Sequence, residues 1–204
     1  VTGAAVFDSA RPRYSKLIEI ATELFSSNGY QATTIRQIAG AMEIKSASLY
    51  SHVGSKAEIL REIVLDVARE FTDSALAAVA PAHTGEDQLR ALCRAHMRVM
   101  TDRASAVIVY FHNWRTLSDE HQREIISLRR RYEGLFRAAM RKAIAEGAYR
   151  ETDVAPSVRV LLGALNWTYE WRSPRRRSDP DILADEILGV VAGGLRRTDK
   201  RKKP

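Results

Sequence analysis

Apolar residues recur at three- and four-residue spacing along nearly the whole chain, and nowhere do they alternate with polar ones over a strand's length. That period lines apolar side chains along one face of a helix, so it confines the chain to an all-α fold. From Tyr14, the residues Leu17, Ile18, Ala21, Leu24 and Phe25 give a first helix that stops at Asn28-Gly29. Thr34 followed by Gln37 has the form of a capping box, ahead of the short stripe Ile35, Ile38, Ala39 and Met42. After Glu43, Ile44 and Lys45, residues 46–51 form a third short helix with Leu49 inward, broken by Gly54. Ser55 and Glu58 make a second capping box before Ile59, Leu60, Ile63, Val64, Val67 and Phe71, the stripe of a long fourth helix.

A break near Pro81, His83, Thr84 and Gly85 precedes the remaining helices. One runs through Leu89, Leu92, Cys93 and His96, and another through Val107, Ile108, Phe111 and Trp114. A long helix extends from about Ser118 through Ile125, Leu128, Tyr132, Leu135, Phe136 and Ala139 to Gly147. The eighth spans roughly Pro156 to Trp171, and the ninth has Asp179 as N-cap and Pro180 in its first turn. About nine helices are expected. They divide into an N-terminal arm with a three-helix head (1–56), a larger helical domain (57–197) with the fourth helix as connector, and a basic tail (198–204).

Composition narrows the function classes. The apolar stretches are interrupted short of a membrane span, and the opening VTGAAVFDSARPR has no secretory apolar core, so a cytoplasmic location and no membrane partner are expected. Cys93 is the only cysteine, which rules out an intrachain disulfide and makes a small buried apolar residue the expected role. The net charge of +7 is unevenly placed: residues 1–81 hold 8 Lys and Arg against 9 Asp and Glu, and residues 82–204 hold 24 against 16. The excess therefore lies outside the head, and DNA binding must be argued from the motif. The five histidines show no metal-ligand spacing, and there is neither a Gly-rich phosphate loop nor a nucleophile elbow. No cofactor and no enzymatic activity are expected.

Two short helices joined by a tight turn and packed on a preceding helix are the minimum that presents a recognition helix to the major groove. In residues 34–53 the second short helix buries Leu49 and Val53, while Ser46, Ala47 and Ser48 are small enough for close approach to base edges. Tyr50, His52 and Lys56 can hold phosphates, and the start of the fourth helix adds free N–H groups. The residues Gly29, Tyr30, Thr33, Thr34, Ile35, Ile38, Ala39, Ile44, Leu49, Tyr50 and Ser55-Lys56 closely resemble the N-terminal signature of the TetR family of repressors. That resemblance implies a three-helix DNA-binding head followed by a helical ligand-binding and dimerisation domain. It also implies DNA contacts at Thr34, Arg36, Ser46, Ala47, Ser48, Tyr50, His52 and Lys56. Val53 stands where the family commonly has phenylalanine, and the usual lysine near the third helix is Ser46, with Lys45 just before it as a further contact.

In the larger domain the eighth helix is apolar around most of its circumference, which implies burial on more than one side. With the ninth it offers the surface of a two-fold homodimer built as a four-helix bundle, and Gly163 permits close approach. Aromatic residues gather where an effector pocket is expected, with Met97, Arg98, Tyr110, Trp114, Tyr132, Asn166, Trp167 and Trp171 as candidate contacts. Residues 166–171, followed by a Pro-containing loop and a last helix, resemble the TetR branch that controls steroid and fatty-acid breakdown in actinobacteria. Its members respond to acyl-coenzyme A thioesters, so the resemblance implies an anionic effector. Arg98, Arg129, Arg130, Arg131, Arg172, Arg175, Arg176 and Arg177 are candidates for its phosphates, each set against the plainer role of a solvated surface cation. A multidrug-type regulator would instead need a buried acid among the aromatics, for which Glu170 is the candidate. A helical interaction module without DNA binding is the alternative from a different class.

Overall fold

A computed structural model describes residues 12–50, 53–171 and 179–195. Among them are nine α-helices: α1 (Pro12–Asn28), α2 (Ile35–Ala41), α3 (Ser46–Tyr50), α4 (Lys56–Val79), α5 (Gly85–Asp102), α6 (Ala104–Asn113), α7 (Asp119–Ala145), α8 (Val154–Trp171) and α9 (Pro180–Leu195). The all-α expectation holds for these residues, which contain no strand. Trp114, expected to continue the helix through Val107, instead opens a 3-10 turn over Trp114–Thr116. The Asn113 side-chain amide donates to the Val109 carbonyl at 3.0 Å and closes the end of α6. The arm before residue 12 and the tail after residue 195 lie outside the described residues.

The chain forms two compact units. The first comprises Val1–Val67 with Ser105–Arg123, and the second Ala68–Ala104 with Glu124–Pro204. In the first unit α1 packs on α2 and α2 on α3. Leu17, Ala21, Phe25, Ile38, Ala39, Leu49 and Val53 are buried, as the helical stripes require. Gly29 ends α1 at φ +84°, donating to the Phe25 carbonyl at 3.1 Å, a backbone conformation that costs a residue with a Cβ more than it costs glycine.

In the second unit α5 packs on α8 and α9, and α8 on α9. Twin ion pairs join α5 to α9: Arg94 is bidentate to Asp185 at 3.0 and 2.5 Å, and Arg98 to Asp181 at 2.8 and 2.5 Å. The four-residue spacing on both helices matches rung to rung. Thr84 caps α5 by accepting from the Asp87 N–H. The first residue of that helix, Gly85, meets α7 so closely that an added Cβ would sit 2.1 Å from the Ala143 nitrogen. The Gly85 N–H donates to the Glu146 carboxylate at 2.7 Å, which fixes the crossing. Cys93 is fully buried, as expected, and burial pushes its thiol up to about 12.

Candidate nucleic-acid interface

The α2 cap forms as the sequence predicts. The Gln37 N–H donates to Thr34 Oγ1 at 3.2 Å, and the Gln37 side chain accepts from the Thr34 N–H at 2.7 Å. One residue earlier, the buried Thr33 hydroxyl reaches back to the carbonyls of Gly29 at 2.9 Å and Leu24 at 3.1 Å. Neighbouring threonines thus do different work: Thr33 holds the end of α1 and Thr34 starts α2.

The turn from α2 to α3 closes by two backbone bonds, Glu43 N–H to Gly40 and Ile44 N–H to Ala39, each 3.0 Å. This pairing requires a left-handed residue at Glu43, whose φ is +58°. The sharp turn leaves Leu49 fully buried, with Lys45, Ala47 and Ser48 exposed and Ser46 half-buried. Thr34 and Arg36 are exposed on α2. Six of the expected contacts, Thr34, Arg36, Lys45, Ser46, Ala47 and Ser48, therefore share the α2–turn–α3 segment and reach solvent. The Tyr50 side chain and all of His52 lie outside the described residues.

Lys56, expected to hold phosphate, is engaged within the chain. Its ammonium donates to the carbonyls of Tyr30 and Thr33, each at 2.9 Å, reaches Gln31 at 3.4 Å, and stands 4.4 Å from the Tyr30 ring centroid. Those carbonyls, left over between α1 and α2, attract a cation. The second capping box also differs. Ser55 accepts from the Glu58 N–H at 3.1 Å, but the Glu58 carboxylate accepts from Gly54, at 2.9 Å, and not from Ser55. A Cβ on Gly54 would stand 2.8 Å from a Glu58 carboxylate oxygen, so the glycine admits the carboxylate. The N–H groups of Gly54 and Glu58 are consequently taken within the chain.

The candidate effector residues fall in both units. Tyr110 and Trp114 are buried in the first. In the second, Met97 is buried and Tyr132 and Asn166 are half-buried. Trp167 is 55% exposed, and the Trp171 side chain lies outside the described residues. Arg98 is held by Asp181, an internal partner that sequence spacing alone did not suggest. Arg130 and Arg131 are exposed, as is Arg129, while Arg172, Arg175, Arg176 and Arg177 lie outside the described residues. Helix α8 is not enclosed in the single chain. Val158, Leu161, Leu165 and Thr168 face inward, whereas Val160 is 62% exposed on the same side as Gly163 and Trp167. His96, not among the expected effector contacts, is buried, and the Tyr132 hydroxyl lies 2.8 Å from its Nδ1.

Two family models match the chain. That of bacterial regulatory proteins of the tetR family covers residues 17–63, and that of the tetracyclin repressor-like C-terminal domain covers residues 82–195, more than half of the chain. The chain belongs to the TetR family. Among TetR-family relatives, the transcriptional repressor KstR2 of Rhodococcus jostii is 28% identical over 90% of this chain and 91% of its own length. The ketosteroid transcriptional regulator KstR2 of Mycobacterium tuberculosis shares the fold at a TM-score of 0.85, with 23% identity over 92% of this chain and 97% of its own. The regulator AibR, solved with isovaleryl coenzyme A and operator DNA, superposes at a TM-score of 0.79 with 27% identity, covering 87% of this chain and 97% of its own. The resemblance of the head to the TetR family holds, and the likeness to the KstR2 regulators extends over most of the chain. No helix among the described residues is long and apolar enough to cross a membrane.

Proposed function

We propose that this TetR-family regulator is a homodimeric repressor that holds a palindromic operator and releases it when an acyl-coenzyme A thioester binds. The observation that carries the DNA half is the α2–turn–α3 segment, where small and hydrogen-bonding side chains are exposed above a buried Ile38, Ala39 and Leu49. In this reading residues 1–56 read DNA, residues 57–197 bind effector and dimerise, and the basic tail at 198–204 adds non-specific attraction.

Dimerisation is supported by the outward apolar residues of the last two helices: Val160 and Trp167 on α8, and Ile182 and Val190 on α9, which are 58% and 81% exposed. Gly163, Gly189 and Gly193 have nothing within 4 Å of an added Cβ, so a second pair of helices has room to approach. A two-fold pair of heads about 34 Å apart matches successive major grooves.

The effector class rests on the α8 resemblance and on the coenzyme A ester held by AibR. The multidrug alternative would need a buried acid, and its candidate Glu170 is exposed in the single chain. Release follows from linkage: an effector that prefers the state with separated heads weakens DNA binding by the ratio of its two affinities. The continuous α4 is the proposed lever. Mobility shifts on the chain's own upstream DNA, with and without a panel of acyl-coenzyme A thioesters, test the effector half. Release by thioesters but not by free acids or lipophilic cations is expected, and the reverse order would contradict it.

A further inference from the structure

The second unit contains a buried polar atom that has no partner among the described residues. His96, on α5, is 3% exposed, and its ring stacks on Phe71 of α4 at a centroid distance of 4.9 Å. Tyr132 of α7 stands edge-on to Phe71 at 5.8 Å, and Phe136 lies 5.2 Å from Tyr132. The imidazole Nδ1 lies 2.8 Å from the Tyr132 hydroxyl, whereas the buried Nε2 has no hydrogen-bond partner among the described residues. A core built for packing alone would fill this position with an apolar ring, because an unmatched buried donor or acceptor is costly. Three aromatic side chains and an unmatched imidazole nitrogen have the composition of a ligand-orienting group: apolar walls and one polar point.

The tautomer follows from relative acidity. A phenol O–H is a better donor than an imidazole N–H, and an imidazole nitrogen is a better acceptor than a phenol oxygen, so the Tyr132 hydroxyl donates to Nδ1. The ring proton of the neutral imidazole then sits on Nε2, which becomes a donor without an acceptor. Burial alone, with no charged neighbour contributing, holds the imidazole well below its usual range, at about 3. It stays uncharged at neutral pH, so a carboxylate brought to it would lose its hydration without meeting a counter-charge. A carbonyl oxygen incurs no such loss.

We infer that His96 is the effector-orienting residue of this chain, its Nε2–H donating to an uncharged carbonyl oxygen, a ketone or a thioester, carried on an apolar ligand. This rests on the effector reading above and sharpens it from a ligand class to one atom on each partner. Tyr132 acts as a positioning residue, fixing the tautomer through Nδ1.

The test compares ligands that differ only at the carbonyl. Calorimetric titration of the full chain with octanoyl coenzyme A and with its thioether analogue S-octyl coenzyme A needs no operator, so it is independent of DNA release. The wild type is expected to bind the thioester about tenfold more tightly than the thioether, the scale of one buried hydrogen bond. His96→Leu should erase that preference, and His96→Gln, which keeps an N–H donor, should retain part of it. The 15N signal of Nε2 should also shift on adding the thioester and not the thioether. Equal binding of the two ligands by the wild type, an undiminished preference in His96→Leu, or no binding of either ligand would overturn the inference. Because the wild-type comparison and the Nε2 signal need no variant, equal binding or an unshifted Nε2 would overturn the inference even if the substitutions unfold the chain. A failure of thioesters to release operator, with the carbonyl preference intact, would instead count against the repressor mechanism alone.

Discussion

The ammonium of Lys56 donates to the Thr33 carbonyl oxygen at 2.9 Å, joining the first turn of α4 to the residue that precedes the α2 cap. The same nitrogen holds the Tyr30 carbonyl at an equal distance. The lysine therefore fixes the orientation in which α2 and α3 leave α1. Lys56→Met keeps the stem and removes the charge, and is expected to lower stability by about 1–2 kcal/mol, discounted for the partial exposure of the site. Urea unfolding followed by circular dichroism measures this. An unchanged midpoint would mean that the internal bonds contribute nothing net.

Glu43 should be replaceable with a gain. It holds φ +58° in the α2–α3 turn, where a Cβ crowds the following carbonyl. Glu43→Gly relieves that strain but frees the unfolded chain, leaving a net stabilisation of about 0.5–1 kcal/mol. A lower melting temperature in the Glu43→Gly protein would show that the carboxylate makes a compensating interaction.

How far such features were legible depended on whether they were local. The capping box at Thr34 and Gln37 uses residues three apart, and it was found where sequence placed it. The helical stripes likewise identified Leu17, Phe25, Ile38 and Leu49 as core, because period alone separates the faces of a helix. The partners of Lys56 lie 23 and 26 residues away, and those of Arg94 and Arg98 lie 91 and 83 away, distances that no periodicity encodes. The internal partners of Lys56, expected to hold phosphate, and of Arg98, a candidate anion contact set against a solvated surface role, are therefore not legible in the sequence. Glu58 missed its expected acceptor role by one residue, because the reach of its carboxylate depended on the missing Cβ at Gly54. His96 escaped notice for a related reason: on an apolar stripe, a histidine awaiting a ligand reads the same as one already satisfied.

The α5–α7 crossing makes Gly85 the least replaceable glycine described. A methyl group there would overlap the Ala143 backbone, which cannot move without shifting α7, so Gly85→Ala is expected to destabilise by more than about 2 kcal/mol. Gly134, inside the same α7 and with nothing within 4 Å of an added Cβ, is the control. Gly134→Ala should stabilise by up to about 1 kcal/mol through helix propensity. Thermal melts of the two variants should move in opposite directions, and a shared direction would count against the tight crossing.

His96 should also give stability a dependence on pH. Burial depresses its folded-state value to about 3 from an ordinary 6.5, so between these values the unfolded chain takes up a proton that the folded chain refuses. Stability is then fully present above pH 6.5 and is lost as pH falls toward 3, by about 2 kcal/mol at pH 5. His96→Gln should flatten this part of the profile. A profile of equal slope in wild type and variant between pH 5 and 6.5 would show that the imidazole is not the group responsible.

The central claim is that the exposed α2–turn–α3 surface reads DNA. Fluorescence anisotropy of the full chain on its upstream DNA, at several salt concentrations, tests it most directly. Sequence-selective binding is expected, with affinity falling steeply as salt rises. Ser48→Asp, which sets a carboxylate on the exposed face of α3, should weaken binding at least tenfold without loss of helix content. Binding that is absent, indifferent to sequence, or unaffected by Ser48→Asp would contradict the claim.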